Sequence, residues 1–442
     1  MTKALKKAPW PIILLIVAFL CPTELSLYIA GLRFPPHRAA LFILFPIAIT
    51  RLLMQQGLKI RGFDIFFLLF NIWTVLIFMY HQGAQEGLVY GGSLALEGLG
   101  AYLVARAWIR TEADVRAMLH VLAVAIGVAA IIALPETLFG QIFTHDILRQ
   151  ITGFVHPTGV EERMGFTRAY GVFDHPIHYG TFCAGMAAMF WYAERKTADR
   201  VKRAAMLTAA TLLGLSSAPL LCLGLQGGML VWDKLTRKLP WRGTITFLIV
   251  AVAYVGAAVA STRGPIAVIA TSMTLDSWTG FYRLQIWENG MNNVWMYPMT
   301  GLGLAEWERP AWMFSSTIDA FWLVIMIREG IPALLLLIIA IWMLCRAVYK
   351  RGLSNKDPTV RGLARGWTMS LIALSAVATT VHLWNVPYSY FFFFLGAAGW
   401  LADPAKVRAT AKKMAPAKKT PAPYRYPEPT PMPGGYVPAP AY

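Results

Sequence analysis

Long apolar runs, separated by short charged breaks, decide what this chain can fold into. A helix needs about 20 mostly apolar residues to cross roughly 30 Å of hydrocarbon, and such stretches recur from Trp10 to Trp400. Of the 442 residues, 57% are hydrophobic and 14% charged, against about 25% charged in a soluble globular chain. Polar side chains too few to cover the apolar surface leave lipid as the solvent. The expected fold is an all-α polytopic membrane protein.

The runs predict twelve transmembrane helices, near residues 10–30, 38–54, 63–80, 88–108, 117–137, 177–193, 204–217, 219–233, 244–262, 319–344, 367–384 and 388–402. Ser216-Ser217-Ala218-Pro219 reads either as a tight outer turn between two short spans or as a kink in one long helix. Lys3, Lys6 and Lys7 ahead of Pro11 to Leu20 resemble a signal peptide, but no small-x-small cleavage site follows. The first span is therefore expected to stay attached. Residues 1–402 form the membrane domain. Residues 403–442 are basic from Lys406 to Lys419 and then Pro-rich. They are expected to be a disordered cytoplasmic tail whose basic part lies on the anionic inner leaflet.

The formal charge of +17 raises the question of a nucleic-acid partner. Such a binder clusters its cations on one face between aromatic platforms, whereas here Lys and Arg punctuate the apolar runs, so no nucleic acid is expected. Cations accumulate in cytoplasmic loops. With twelve spans and both ends inside, every lysine falls inside. Outside lie only Arg33, Arg38, Arg149, Arg163, Arg168, Arg263, Arg283, Arg309 and Arg328. An arginine presents a rigid fork of donors that matches phosphate oxygens; thinning of outer lysine by the topology rule alone gives the same pattern. Cys21, Cys183, Cys222 and Cys345 lie in or beside apolar runs without metal-type spacing and read as packing residues.

Two outer loops are long, 138–176 and 263–318, and rich in aromatic residues, Gly and Pro. The first carries Arg168-Ala169-Tyr170-Gly171-Val172-Phe173-Asp174-His175-Pro176. The second carries Phe281-Tyr282-Arg283-Leu284-Gln285-Ile286-Trp287-Glu288-Asn289-Gly290, then Pro298, Gly301-Leu302-Gly303 and Ser315-Ser316-Thr317-Ile318-Asp319. Glu329-Gly330 follows one helix-depth further on. Asp174, His175 and His178, with His156 nearby, have ligand types that suit zinc, but Pro176 interrupts any shared helical face. A hydrogen-bonding role in an outer site is the expectation, with no metal. Glu24 and Glu97 lie within spans and need partners there, while Gly98 and Gly100 suit close helix packing.

The order of these segments resembles the O-antigen ligase and polysaccharide polymerase superfamily. The opening, a span followed by Leu32-Arg33-Phe34-Pro35-Pro36-His37-Arg38, is also similar, so the resemblance covers most of residues 10–402. It implies a GT-C-like integral-membrane glycosyltransferase of the bacterial inner membrane. Such an enzyme is metal-independent, inverting and without cofactor. It moves an undecaprenyl-pyrophosphate-linked oligosaccharide to a glycan or lipid acceptor hydroxyl at the periplasmic face, among membrane lipids and other polysaccharide-assembly proteins. The resemblance makes Asp319 the base and Arg283, Arg168 and Arg263 the pyrophosphate ligands. Asp174, His175, His178, Trp287, Glu288 and Arg328 become further substrate-loop residues.

Two departures stand out. Ligases of this group usually carry His where Asp319 stands, which tilts the reading toward a polymerase over a ligase to lipid A core. Many members have Ser-Arg where this chain has Ser217-Ala218. Two local alternatives accompany the roles: Thr317-Ile318-Asp319 is also a good helix-capping sequence, and Arg328 with Glu329 suits a structural pairing within the membrane. A flippase for a lipid-linked sugar is the competing class, but residues 1–200 and 201–400 show no clear repeat.

Overall fold

The computed structural model describes residues 8–29, 32–54, 59–154, 159–260 and 277–402; the side chains at 250, 253, 257, 260 and 277 are not among those described. Lys3, Lys6, Lys7, His156, Arg263 and the expected tail 403–442 lie outside that set.

The described residues are mostly helical. Trp10–Phe19 (α1) leads through a short 3-10 turn into a hairpin, Leu27–Ile29 (β1) against Leu32–Phe34 (β2), with Tyr28 opposite Arg33. Then come Pro36–Met54 (α2), Gly62–Gln82 (α3), Ala84–Ala95 (α4), a π turn at Leu96–Gly100, and Ala101–Trp108 (α5). Glu112–Phe139 (α6) is bounded by its own chemistry. The Thr111 hydroxyl accepts from the Asp114 N–H at 3.2 Å, Asp114 accepts from the Thr111 N–H at 2.9 Å, and Gly140 ends the helix at φ 74°.

The first long loop holds Phe143–Thr152 (α7) and a small hairpin of Glu162–Arg163 (β3) and Phe166–Thr167 (β4). Next follow Pro176–Ala184 (α8), Ala187–Ala193 (α9), Thr197–Leu213 (α10), Ser217–Thr236 (α11) and Arg242–Ala260 (α12). The described part of the second loop begins with one helix, Ser277–Met296 (α13), and continues without helix to residue 320. Phe321–Glu329 (α14), Ile331–Val348 (α15), Pro358–Val377 (α16), Val386–Gly396 (α17) and Gly399–Ala402 (α18) complete the fold.

Among the described residues, five helices are long and apolar enough to cross a membrane: α2, α3, the continuous Ala84–Trp108, α6, and Ile331–Leu353. The protein is thus an all-α membrane protein, and several of the twelve expected spans are shorter or broken. The first is ten residues long because Pro22, the 3-10 turn and strand β1 take up the chain from 22 to 29. The span expected at 177–193 breaks between α8 and α9. There Gln226 of α11 replaces the interrupted ladder, accepting from the Ala188 N–H at 2.8 Å and donating to the Ala184 carbonyl at 2.9 Å. Irregular backbone at membrane depth survives where protein supplies such partners.

The span expected at 319–344 breaks at Gly330, with φ 82°. A Cβ there would lie 2.3 Å from the Met299 carbonyl oxygen, so only glycine fits. The pair at 204–233 resolves into two helices, α10 and α11, joined by a turn with Leu215 at φ 42°.

The core is aromatic and centred on α17, where Tyr390 to Phe394 are all buried against α5, α14 and their neighbours. Phe392 stacks on Phe70 at 5.9 Å between centroids, and Trp367 stacks on Phe394 at 5.5 Å. Glu97, in the π turn, accepts from Arg38 Nε at 2.9 Å and lies 3.1 Å from His37 Nε2. The buried carboxylate has the membrane partner its position requires.

Candidate functional site

One crevice gathers charge at the junction of α13, the start of α14 and the turn between α10 and α11. Its framework is the end of α16. Phe321 N–H donates to the Ala378 carbonyl at 2.8 Å, Trp287 Nε1 donates to the Thr379 carbonyl at 2.8 Å, and Trp322 Nε1 donates to the Ser375 carbonyl at 3.0 Å. The helix carrying Arg283 and the helix following Asp319 are fastened to the same few carbonyls. Trp287 is therefore a strut, one helical turn from Arg283.

Arg283 is 8% exposed and has no hydrogen bond or ion pair among the described residues; its Nε is buried without a partner. Burial pulls its pKa below the usual guanidinium range, opposed by the Asp319 charge and reinforced by Arg163 and Arg168. Asp319 in turn is pushed up by burial, against the pull of Arg283 and a hydrogen bond from Thr317. The two groups feel each other's charge without forming an ion pair. Asp319 does not cap a helix: the N-cap of α14 is Ala320, with no side-chain cap bond. The Asp319 carboxylate is left available to the crevice.

The second arginine sits on the first long loop. Arg168 is 6% exposed, pairs with Glu161, and donates through Nη2 to Ser216 Oγ at 2.7 Å; its Nε has no partner. Arg163 reaches the same turn, with Nη1 donating to the Leu215 carbonyl at 3.1 Å. Ala169 N–H donates to the Leu213 carbonyl at 3.0 Å, completing the clasp. Arg163 and Ser216, noted in the sequence as an arginine and a turn residue, were given no site role there. The signal was a two-residue Met164-Gly165 hairpin, whose positive φ angles of 57° and 77° turn Arg163 back beside Phe166.

His175 feels both arginines: its pKa is lowered to about 4 by burial and by the charges of Arg168 and Arg283, against Glu161 and Asp174. The remaining residues named from sequence serve the frame. Asp174 accepts from Thr23 Oγ1 at 2.7 Å and Asn385 Nδ2 at 2.6 Å. His178 is buried, 3.1 Å from the His382 carbonyl and packed on Trp384. Glu288 is exposed and bonds Gln285 of its own helix at 3.0 Å.

Arg328 and Glu329 do not pair. Consecutive helical residues diverge by about 100°, and Arg328 Nη1 donates to the Gly303 and Ala305 carbonyls, each at 2.9 Å, while Glu329 accepts from Thr74. The Gly301-Leu302-Gly303 segment is latched to the end of α14, with Leu302 N–H donating to the Ile327 carbonyl at 2.7 Å. Among the described residues no three His, Cys, Asp or Glu side chains are grouped to hold a metal ion.

From Arg283 an apolar trough of about 740 Å³ runs between α11, α12, α13 and α16, lined by Ala218, Leu221, Leu225, Ile249, Gly280 and Ala376 among others. Arg283 is the charged residue in its described wall. Ala218, where an arginine stands in many proteins of the resembled group, lines the trough and keeps that wall apolar. The volume falls within the roughly 300–1,000 Å³ of ordinary ligand pockets. No protein-family model and no curated protein matches the chain.

Proposed function

We propose that this chain is a bacterial inner-membrane glycosyltransferase of GT-C type, with twelve crossings and both ends cytoplasmic. On this reading it extends or transfers a polyprenyl-pyrophosphate-linked glycan on the periplasmic side. The observation that carries the reading is Arg283: a guanidinium 8% exposed, without a partner among the described residues, at the rim of an apolar trough and within the field of a carboxylate. Burying an unpaired charge costs several kcal/mol. A ligand that joins an anion to a long hydrocarbon tail relieves that cost and fills the trough together.

In the reaction, an acceptor hydroxyl oxygen attacks the anomeric carbon of the donor sugar while Asp319 takes the hydroxyl proton. The new glycosidic C–O bond forms as the bond to the pyrophosphate oxygen breaks, with inversion at that carbon. The bonding electron pair leaves with the pyrophosphate, whose charge Arg283 and Arg168 stabilise and Arg163 augments. Polymerase and ligase differ only in the acceptor. Asp319 in place of the ligase histidine favours the polymerase.

Single Arg283→Ala and Asp319→Ala variants, assayed in cells for glycan chain length and lipid-linked repeats, test this. Short chains with outward-facing repeats accumulating are expected. Full-length chains that fail to attach indicate the ligase instead, repeats stranded on the inner leaflet indicate a flippase, and unaltered glycan overturns the reading.

A further inference from the structure

His175 is the one ring in the crevice whose two nitrogens have separate assignments. It is the N-cap of α8, where the Ile177 N–H donates to Nδ1 at 3.1 Å. A nitrogen that accepts from a backbone N–H cannot carry a proton, so a neutral ring here holds its hydrogen on Nε2. Nε2 itself has no partner among the described residues. The ring is half-buried, with its edges on Tyr170, His178 and Trp384, at centroid separations of 6.2, 6.0 and 6.2 Å. The charges around it are Arg168, Arg283, Glu161 and Asp174.

Protonating this ring would place a third cation beside two buried guanidinium groups and break the cap of α8 at the same time. Both effects hold it neutral, in line with a pKa near 4. A neutral imidazole with Nδ1 engaged has one capability left, which is to donate from Nε2.

We propose that His175 is the neutral hydrogen-bond donor of this crevice, presenting Nε2–H to a phosphate oxygen of the ligand drawn in by Arg168 and Arg283. It is a binding residue and not a base, which leaves proton acceptance to Asp319. The assignment rests on the anionic-lipid reading above and adds a division of labour to it. A neutral donor orients an oxygen without adding charge to a site already rich in arginine.

Two side chains separate the nitrogens of a histidine. Asn places an acceptor near Nδ1 and keeps the cap, while Gln places a donor near Nε2 and gives up the cap. The full chain in lipid nanodiscs is titrated with farnesyl pyrophosphate. A hydrogen bond to a charged group contributes about 1.5–3 kcal/mol, so His175→Asn should weaken binding about tenfold or more, and His175→Gln should stay near wild type. A purely structural cap reverses that order, and Asn binding like wild type overturns the proposal.

If both variants weaken binding, ¹⁵N spectra of the wild-type histidine decide. A protonated Nε2 that shifts on adding the probe upholds the donor, and an unprotonated Nε2 removes it. A wild-type chain that ignores the probe overturns the donor and the anion site together. Unaltered glycan in the Asp319→Ala cells overturns the transferase reading while leaving the donor standing.

Discussion

Two buried arginines of this protein live opposite lives. Arg106, 1% exposed at the end of α5, is answered on every side. Its Nε donates to Asp64 Oδ1 at 3.1 Å, Nη1 to the Gly399 carbonyl at 3.3 Å, and Nη2 to the Lys59 carbonyl at 3.3 Å. Tyr102 adds a hydrogen bond to the same Asp64 oxygen, at 2.5 Å. Arg283, 8% exposed, has none of this and feels a carboxylate only at a distance. Desolvation weighs on both. A charge answered within the fold ties helices together, and a charge left unanswered marks where something else belongs.

The sharpest extension of that contrast is Asp319→Asn, which keeps the shape and removes the base. The transfer rate should fall about 10²–10⁴-fold, measured on purified protein with lipid-linked repeat units. In wild type the rate should rise with pH along a limb lying above the ordinary Asp value of 3.8, because burial raises Asp319 and only its ionised form accepts a proton. The sign for stability is opposite: a carboxyl with a raised folded pKa favours folding less as pH climbs through that range.

Asp64→Ala should be the most damaging to the fold, at about 3–5 kcal/mol, since it strands Arg106. Thermal unfolding in detergent reads this, and an unchanged midpoint would erase the contrast. Arg283→Ala should do the reverse, with unfolding unchanged or slightly later and the rate lowered about 10²–10³-fold. Ala376→Trp, which fills the trough, should weaken binding of a long prenyl pyrophosphate about tenfold, or roughly 1–3 kcal/mol. It should spare inorganic pyrophosphate. Smallest is Trp287→Phe, expected to lower stability by about 1 kcal/mol through loss of its bond to Thr379.

Much of this architecture is written in short-range chemistry. The ends of α6 follow from Thr111, Asp114 and Gly140, and the partners of Glu97 follow from the cost of a bare carboxylate in lipid. What hydropathy could not supply were the breaks. A window over 319–344 sees one apolar stretch. The interruption at Gly330 depends on Met299 approaching from a segment thirty residues earlier. Gln226 likewise acts on α8 and α9 from another helix.

The same limit governs the crevice. Arg168 and Arg283 stand out in sequence because the two long loops, 138–176 and 263–318, hold arginines and no lysine. That Arg168 has Ser216 and Glu161 for company while Arg283 has no partner among the described residues depends on how two distant loops meet.

The carbonyls at the end of α16 deserve a last thought. Because Ala378 holds the entry of α14 and Thr379 holds Trp287, the carboxylate and the guanidinium are both measured from a single peg. Movement of that peg carries both groups along, and their mutual spacing survives. Lengthening either tether, by one residue inserted between 319 and 321 or between 283 and 287, would detune the spacing while leaving each side chain present.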